Sequence, residues 1–273
     1  MEIDLRELHV MAIVNVTPDS FYAGSRNASA EQIEARVRAA VEQGATIIDV
    51  GGYSSRPGAD DISPDEEWRR IDRGIEAVRR VAPDAAVSVD TFRADVVRRT
   101  IDKWGGVIVN DISAGELDED MLRTVAGYDV PYIAMHMRGT PATMQTMTDY
   151  SGDIADEVMD YFRRRIDLMI SAGIRRENIV LDPGFGFAKT LEQNYRLMHS
   201  LDRLVGMGYP VLSGVSRKSM IFRLLGTTPD ESLNGTSVLN FISLEKGANI
   251  LRVHDVREAV EVVKIYKTYI SQA

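Results

Sequence analysis

Eight short, nearly continuous apolar runs, separated by stretches of helical period or by longer connections, set the frame within which this chain folds. They are His9–Asn15, Thr46–Gly51, Ala86–Asp90, Val107–Asp111, Tyr132–His136, Ile179–Asp182, Val211–Ser213 and Ile250–Val253. Runs of this length and character read as strands buried on both faces. Between them, Ala30–Gln43 places Ile33, Val37, Ala40 and Val41 on one face, and Gly44 supplies its stop. Ser63 and Pro64 have the residue types of a helix N-cap and first helical position. Asp153–Ala172, Leu191–Gly206 and Val256–Tyr269 read as further helices. Strand–helix alternation means parallel strands with crossover helices. A doubly wound sheet is the competing architecture. The count of eight, the length of 273 residues and the lack of a GxGxxG after the first run favour a (β/α)8 barrel of the TIM type, an α/β fold that usually takes about 250 residues. No linker or low-complexity tract divides residues 1–273, so one domain is expected.

Composition removes several classes of function. Hydrophobic residues make up 44% and charged residues 27%, which fits a soluble chain with a full core and not a disordered one. Without cysteine there are no disulfides, thiolate nucleophiles, zinc–thiolate sites or iron–sulfur clusters. A net charge of -9 disfavours nucleic acid and anionic membranes as partners, yet permits an anionic substrate where a few basic residues are concentrated. Met1–Glu7 alternates in charge and has no apolar core of the kind a signal peptide needs, and no apolar run is long enough to span a bilayer; a cytoplasmic location is expected.

The runs end in polar residues. Asn15, Asp90, Asn110-Asp111, His136 and Asp182 close five of them, Ser216-Arg217-Lys218 follows the seventh, and Arg252 and His254 end the eighth. In a barrel all of these ends meet on one rim, where barrel active sites form. Any single Asp or Asn there is equally well a cap for the next helix. The set as a whole is not, because caps require neither Lys218 nor Arg252 and His254. Carboxylates and carboxamides around a barrel mouth suit a flat heterocycle carrying donors and acceptors along its edge. Arg56, Arg252 and His254 offer positive charge to a phosphate, and Lys218 is suited to act as a point charge or to lie against a ring. Asn15 offers oxygen to a hard cation such as Mg2+, which takes most of its ligands from water and substrate phosphate. The connections after the first two runs, rich in Gly, Ser and Pro, are expected to cover substrate. His9 and His199 read as structural, Met144 and Met147 as packing, Arg163–Arg165 as a solvated helix face, and Val256, Val260, Val263, Ile265 and Tyr266 mostly as barrel packing.

Eight segments carry these residues: Asn15-Val-Thr-Pro-Asp-Ser-Phe21, Asp49-Val-Gly-Gly-Tyr-Ser-Ser-Arg-Pro-Gly58, Ser88-Val-Asp-Thr91, Asn110-Asp-Ile-Ser113, Met135-His-Met-Arg-Gly-Thr-Pro141, Leu181-Asp-Pro-Gly-Phe-Gly-Phe187, Ser216-Arg-Lys-Ser219 and Arg252-Val-His-Asp255. In this order, and over essentially the whole chain, they resemble the dihydropteroate synthase family. The resemblance implies a pterin-binding barrel of folate biosynthesis. Its reaction joins 6-hydroxymethyl-7,8-dihydropterin pyrophosphate to p-aminobenzoate and releases pyrophosphate. Position by position, it implies a pterin pocket of Asp90, Asn110, Asp182 and Lys218, with Met135 and Gly214 packing around the ring. It makes Asn15 a ligand of Mg2+ and assigns pyrophosphate to Ser55, Arg252 and His254. Arg56 becomes the arginine of the second mobile loop, and Ser219, Pro57 and Phe187 border the p-aminobenzoate pocket, where sulfonamides act as mimics. Asp90, Lys218 and Arg252 are the expected catalytic residues, and C-terminal helices are expected to form a homodimer interface.

The chain departs from the family at Tyr22-Ala-Gly-Ser25, at Ser55, where Thr is usual, and at Ala188, where Gly is usual. Ser55 keeps the hydroxyl. Ala188 lacks the freedom of Gly at positive φ, so the local loop geometry is open at this point. Two rivals remain: a methyltetrahydrofolate-dependent methyltransferase, which would share the pterin residues but has no need of the Arg252–His254 pair, and a non-catalytic pterin-binding paralogue.

Overall fold

A computed structural model describes residues 3–17, 30–54, 61–140 and 143–272. Strands and helices alternate as β1 (His9–Asn15), α1 (Ala30–Glu42), β2 (Ile47–Gly51), α2 (Pro64–Val81), β3 (Ala86–Asp90), α3 (Ala94–Trp104), β4 (Ile108–Asp111), α4 (Met121–Tyr128), β5 (Tyr132–Met135) and α5 (Ile154–Ser171). They continue as β6 (Ile179–Asp182), α6 (Leu191–His199), α7 (Leu201–Val205), β7 (Leu212–Ser213), α8 (Ser219–Leu225), α9 (Leu233–Glu245), β8 (Ile250–Val253) and α10 (Val256–Ile270). The strands pair in parallel in the order β6-β5-β4-β3-β2-β1-β8-β7. A single bridge, Leu181 to Val211, joins the two ends of that order, and the Leu181 N–H donates to Pro210 O at 2.9 Å. The chain is therefore a (β/α)8 barrel with one thin seam between β6 and β7.

Side chains alternate across each strand, and the alternation sorts the core into two compartments. Val10, Ala12, Val14, Ile48, Val50, Val87, Val89, Val109, Tyr132, Ala134, Leu181, Leu251 and Val253 face outward and join the helix faces in the largest apolar cluster. The other parity points inward. Met11, Ile47, Ala86, Ile108, Ile133, Val180, Leu212 and Ile250, one from each strand, plug the bottom of the barrel together with Leu5. Two residues further along each strand the inward position becomes polar or small in most cases: Asp49, Ser88, Asn110, Asp182, Gly214 and Arg252. The floor of the site is thus laid by an apolar layer, and its walls by the next step of the same parity.

Helix ends follow the expected chemistry. The Ser63 side chain accepts from Glu66 N at the start of α2, with Pro64 as the first helical residue. Asp153 caps α5 through Ala155 N at 2.9 Å. Three expectations need correction. Leu191–Gly206 is two helices, broken at Ser200, whose N–H bonds back to Arg196 and Leu197; the bend keeps Leu197, Met198, Leu201 and Leu204 all buried. Arg165 is not part of a solvated face, because its guanidinium turns in to donate to Ala114 O in the loop after β4. Ile265 is not barrel packing, since it is 62% exposed on α10. His9 is structural as expected, held by Thr46 Oγ1 at 3.0 Å and Asp4 O at 2.8 Å at the opposite end of the barrel from the rim.

Candidate active site

Asp49 lies on the inward parity of β2 and is fully buried. An isolated carboxylate at such a position is costly unless paired. Arg252 of β8 supplies the pair, with Nε donating to Asp49 Oδ2 at 2.7 Å and Nη2 to Asp90 Oδ2 at 2.6 Å. One guanidinium thereby ties three strands across the mouth. Asn110 Nδ2 lies 3.3 Å from the same Asp49 oxygen. Burial pushes the Asp90 carboxyl up from the usual carboxylate range, and Arg252 opposes that shift while Asp49 reinforces it. Burial also disfavours charge on Arg252, yet Asp49 and Asp90 together hold it above the ordinary arginine range. Arg252 is thus a permanently charged bridge already shared by two carboxylates, and its third nitrogen, Nη1, takes part in neither contact.

Asp182 and Lys218 face the same space from either side of the seam. Burial pushes Asp182 up and Lys218 down, to about 8, while each opposes the shift of the other. Lys218 follows β7, its ammonium donates to Phe185 O, and it stands 4.3 Å from the centroid of the Phe187 ring. Gly214 leaves room here, since a Cβ on it would lie 4.0 Å from Lys218 Nζ and from Arg252 Cβ. Beside it, Met135, Ile112, Met137, Met144 and Ala188 form a small apolar cluster on which Phe92, Leu117 and Phe187 pack. The mouth therefore joins polar groups to an apolar wall, a mixture suited to a flat heterocycle.

The loop after β6 is closely built. The Gly184 N–H donates to Asp182 Oδ1 at 2.8 Å, and a Cβ on Gly184, at φ +68°, would strike His136 O at 2.1 Å. Only glycine fits there. Buried Lys189 donates from Nζ to Gly184 O, Phe187 O and His136 Nδ1, each at 2.9 Å. Burial, then repulsion from Lys218, lowers its pKa to about 7. Ala188 does adopt a positive φ, 50°, so the loop keeps the left-handed turn despite the missing glycine. His136 ends outside the pocket, one parity step off Met135, packed edge-on against Tyr161.

His254 follows β8 at the rim. Ser216 Oγ bonds its Nδ1 at 3.2 Å and accepts its backbone N–H at 3.1 Å. Desolvation, then the charges of Arg252 and Arg36, pull the imidazole below the usual histidine range. Asn15 ends β1, and its Oδ1 is 3.0 Å from where a Cβ on Gly51 would be, with Asp90 on the other side of that glycine. Ser219 is the first residue of α8, immediately after Lys218. Ser55, Arg56 and Pro57, and the Tyr22–Ser25 departure, lie outside the described residues. Asp111 points outward and is bound by Ser113 N, Ser113 Oγ, Gly115 N and Tyr132 OH, so it braces the turn after β4 and does not cap the next helix, which begins only at Met121.

Two residues of this site were not singled out from sequence: Asp49 and Lys189. Asp49 had a signal, a lone carboxylate within the apolar run Ile47-Ile-Asp-Val-Gly51 on the parity of Ile47. Lys189 had none, because nothing local distinguishes a buried lysine from a loop lysine.

The model for pterin binding enzymes matches residues 11–254. The chain belongs to the pterin-binding enzyme family. Among the members of this family, the dihydropteroate synthase of Escherichia coli K12 is 41% identical over 269 residues, covering 98% of this chain and 94% of its own length. The crystal structure of the Yersinia pestis dihydropteroate synthase with a sulfonamide drug complex superposes with a TM-score of 0.92 at 36% identity, covering 99% of this chain and 97% of that one. The Xanthomonas albilineans enzyme in complex with 7,8-dihydropteroate gives a TM-score of 0.85 at 33% identity, covering 98% and 95%.

Proposed function

We propose that this chain is a dihydropteroate synthase, condensing 6-hydroxymethyl-7,8-dihydropterin pyrophosphate with p-aminobenzoate in folate biosynthesis. The observation that carries this reading is the excess of acid at the mouth: three inward carboxylates, Asp49, Asp90 and Asp182, share Arg252 and Lys218. Such a pocket favours a ligand whose edge is rich in N–H donors and which gains positive charge as it reacts. Asp182 and Asn110 supply acceptors and a donor for the pterin edge, with Met135 and Gly214 against its faces. As the C–O bond breaks, its electron pair leaves with pyrophosphate, and positive charge develops on the pterin methylene beside Asp90. Arg252 Nη1, His254, Ser55 and Arg56 then serve the departing anion. His254 is well suited to this, since pyrophosphate raises the pKa that its cationic neighbours depress. The aniline nitrogen attacks the methylene, forms the C–N bond and loses one proton; Ser219, Phe187 and Pro57 are the residues assigned to that acceptor. No covalent enzyme intermediate is required.

Mg2+ is the proposed cofactor. Asn15 offers one carboxamide oxygen, and the described residues contain no group of three or more His, Asp or Glu that would hold a metal ion by themselves. This donor set fits an ion that takes its remaining oxygens from water and substrate pyrophosphate. Bound there, Mg2+ would neutralise charge on the leaving group. The reading extends to a cytoplasmic homodimer. No described helix is long and apolar enough to cross a membrane, and α9 and α10 present Val238, Ile265 and Tyr269 to solvent.

The deciding assay follows pyrophosphate release from the dihydropterin pyrophosphate, with and without p-aminobenzoate. Amine-dependent release and dihydropteroate formation are expected. If neither product appears with Mg2+ present, the synthase reading fails and a binding role or methyl transfer takes its place.

A further inference from the structure

Arg217 sits between Ser216 and Lys218, and its side chain turns away to Asp255. Its φ is 55°, in the left-handed region that is sterically costly for any side chain with a Cβ. The turn this creates sends Ser216 toward β8, where its Oγ bonds His254 Nδ1, and sends Lys218 into the barrel mouth. The backbone is held by the Arg217 N–H donating to Thr236 Oγ1 at 3.1 Å. The side chain reaches Asp255, the residue after His254, with Nε to Oδ2 and Nη2 to Oδ1, both at 2.8 Å. The remaining terminal nitrogen, Nη1, donates to Pro229 O at 3.1 Å and Asp230 O at 3.0 Å. A bidentate guanidinium–carboxylate pair fixes orientation as well as distance. One side chain therefore fixes the loop after β7 against the loop after β8, with Lys218 on one side of the joint and His254 on the other.

We infer that Arg217 and Asp255 form a latch whose role is to hold Lys218 and His254 at a fixed separation, so that the pterin and its leaving pyrophosphate are gripped as one rigid unit. Arg217 is a positioning residue and touches no substrate. The strained backbone supports this: a loop needed only for closure would place glycine or asparagine there, whereas arginine alone supplies the fork that reaches Asp255 and two carbonyls. The inference rests on the proposed synthase reading, in which His254 serves pyrophosphate and Lys218 the pterin.

Arg217→Asn keeps a residue that tolerates the left-handed turn while removing the fork, and Asp255→Asn keeps an acceptor while removing the charge. Both are measured beside the parent for steady-state turnover, for calorimetric binding of a pterin and of pyrophosphate separately and together, and for thermal midpoint. In the parent, each ligand is expected to tighten the other. In either variant, separate affinities should stay within about threefold while that mutual tightening is lost and kcat falls about 10- to 100-fold, with the double variant no worse than the worse single one. The latch is refuted if kcat and mutual tightening both persist in the variants. It is equally refuted if both separate affinities collapse with the thermal midpoint, which is what a purely structural clamp would do. A parent that releases no pyrophosphate sinks the synthase reading instead, and the two failures are distinct.

Discussion

At the residue scale the electrostatics of the mouth turn on Asp49. Its carboxylate reinforces the upward shift of Asp90 and shares the guanidinium that opposes it. Neutralising Asp49 removes a repulsion and leaves Arg252 to Asp90 alone, so both changes lower the Asp90 pKa. In Asp49→Asn, the acid limb of the pH profile of kcat/KM is expected to move to lower pH; a limb that stays or rises would show that another group sets it. The same change leaves Arg252, only 21% exposed, with half its compensation, at a cost of about 3 kcal/mol in stability measured by urea unfolding. Strand-end logic made Asp90, Asn110, Asp182 and Arg252 legible in the sequence. It passed over Asp49 because Asp49 lies mid-strand, and the relevant rule there is side-chain parity.

At the scale of the element, the loop joining β6 to α6 shows tertiary bonds overriding a local preference. An alanine in the left-handed region costs roughly 1 kcal/mol. Around Ala188, Asn194 Oδ1 accepts from Gly186 N, Asn194 Nδ2 donates to Thr190 O, and Lys189 ties the loop to His136, and these bonds offset the cost of the turn. Sequence reading left this loop open because it weighed the residue and not its partners. Lys189→Met keeps the aliphatic stem but orphans two buried carbonyls, and a loss of about 2–4 kcal/mol is expected by chemical denaturation. It also alters the pH response. The folded pKa of Lys189, about 7, lies below its unfolded value, so between the two the unfolded chain holds a proton that the folded chain lacks. Stability from this group rises with pH through that window and is lost as pH falls toward 7. The parent-minus-variant difference should therefore widen from pH 7.5 to pH 9.5, and a difference that narrows would contradict the assigned burial cost.

For the whole molecule, the barrel architecture was legible because eight apolar runs are a long-range pattern that few folds satisfy. The outer surface was less so. Phe241 of α9 packs against Tyr266 and Tyr269 of α10, and around it Val238, Ile265 and Tyr269 are each more than half exposed. That patch suits a second copy of the chain, as homodimer interfaces are the more apolar class. Val238→Glu combined with Ile265→Glu is expected to convert a dimer to a monomer in light scattering with the barrel still folded; an unchanged mass would place the interface elsewhere. The seam between β6 and β7 has a consequence of another kind. Asp182 stands on one bank of it and Lys218 on the other, with a single bridge between Leu181 and Val211 below them. A bracelet opens at its clasp: under the proposed reading, a pterin held by both banks would span the thinnest part of the circle, so ligand binding is expected to reinforce the barrel where its strands are least joined.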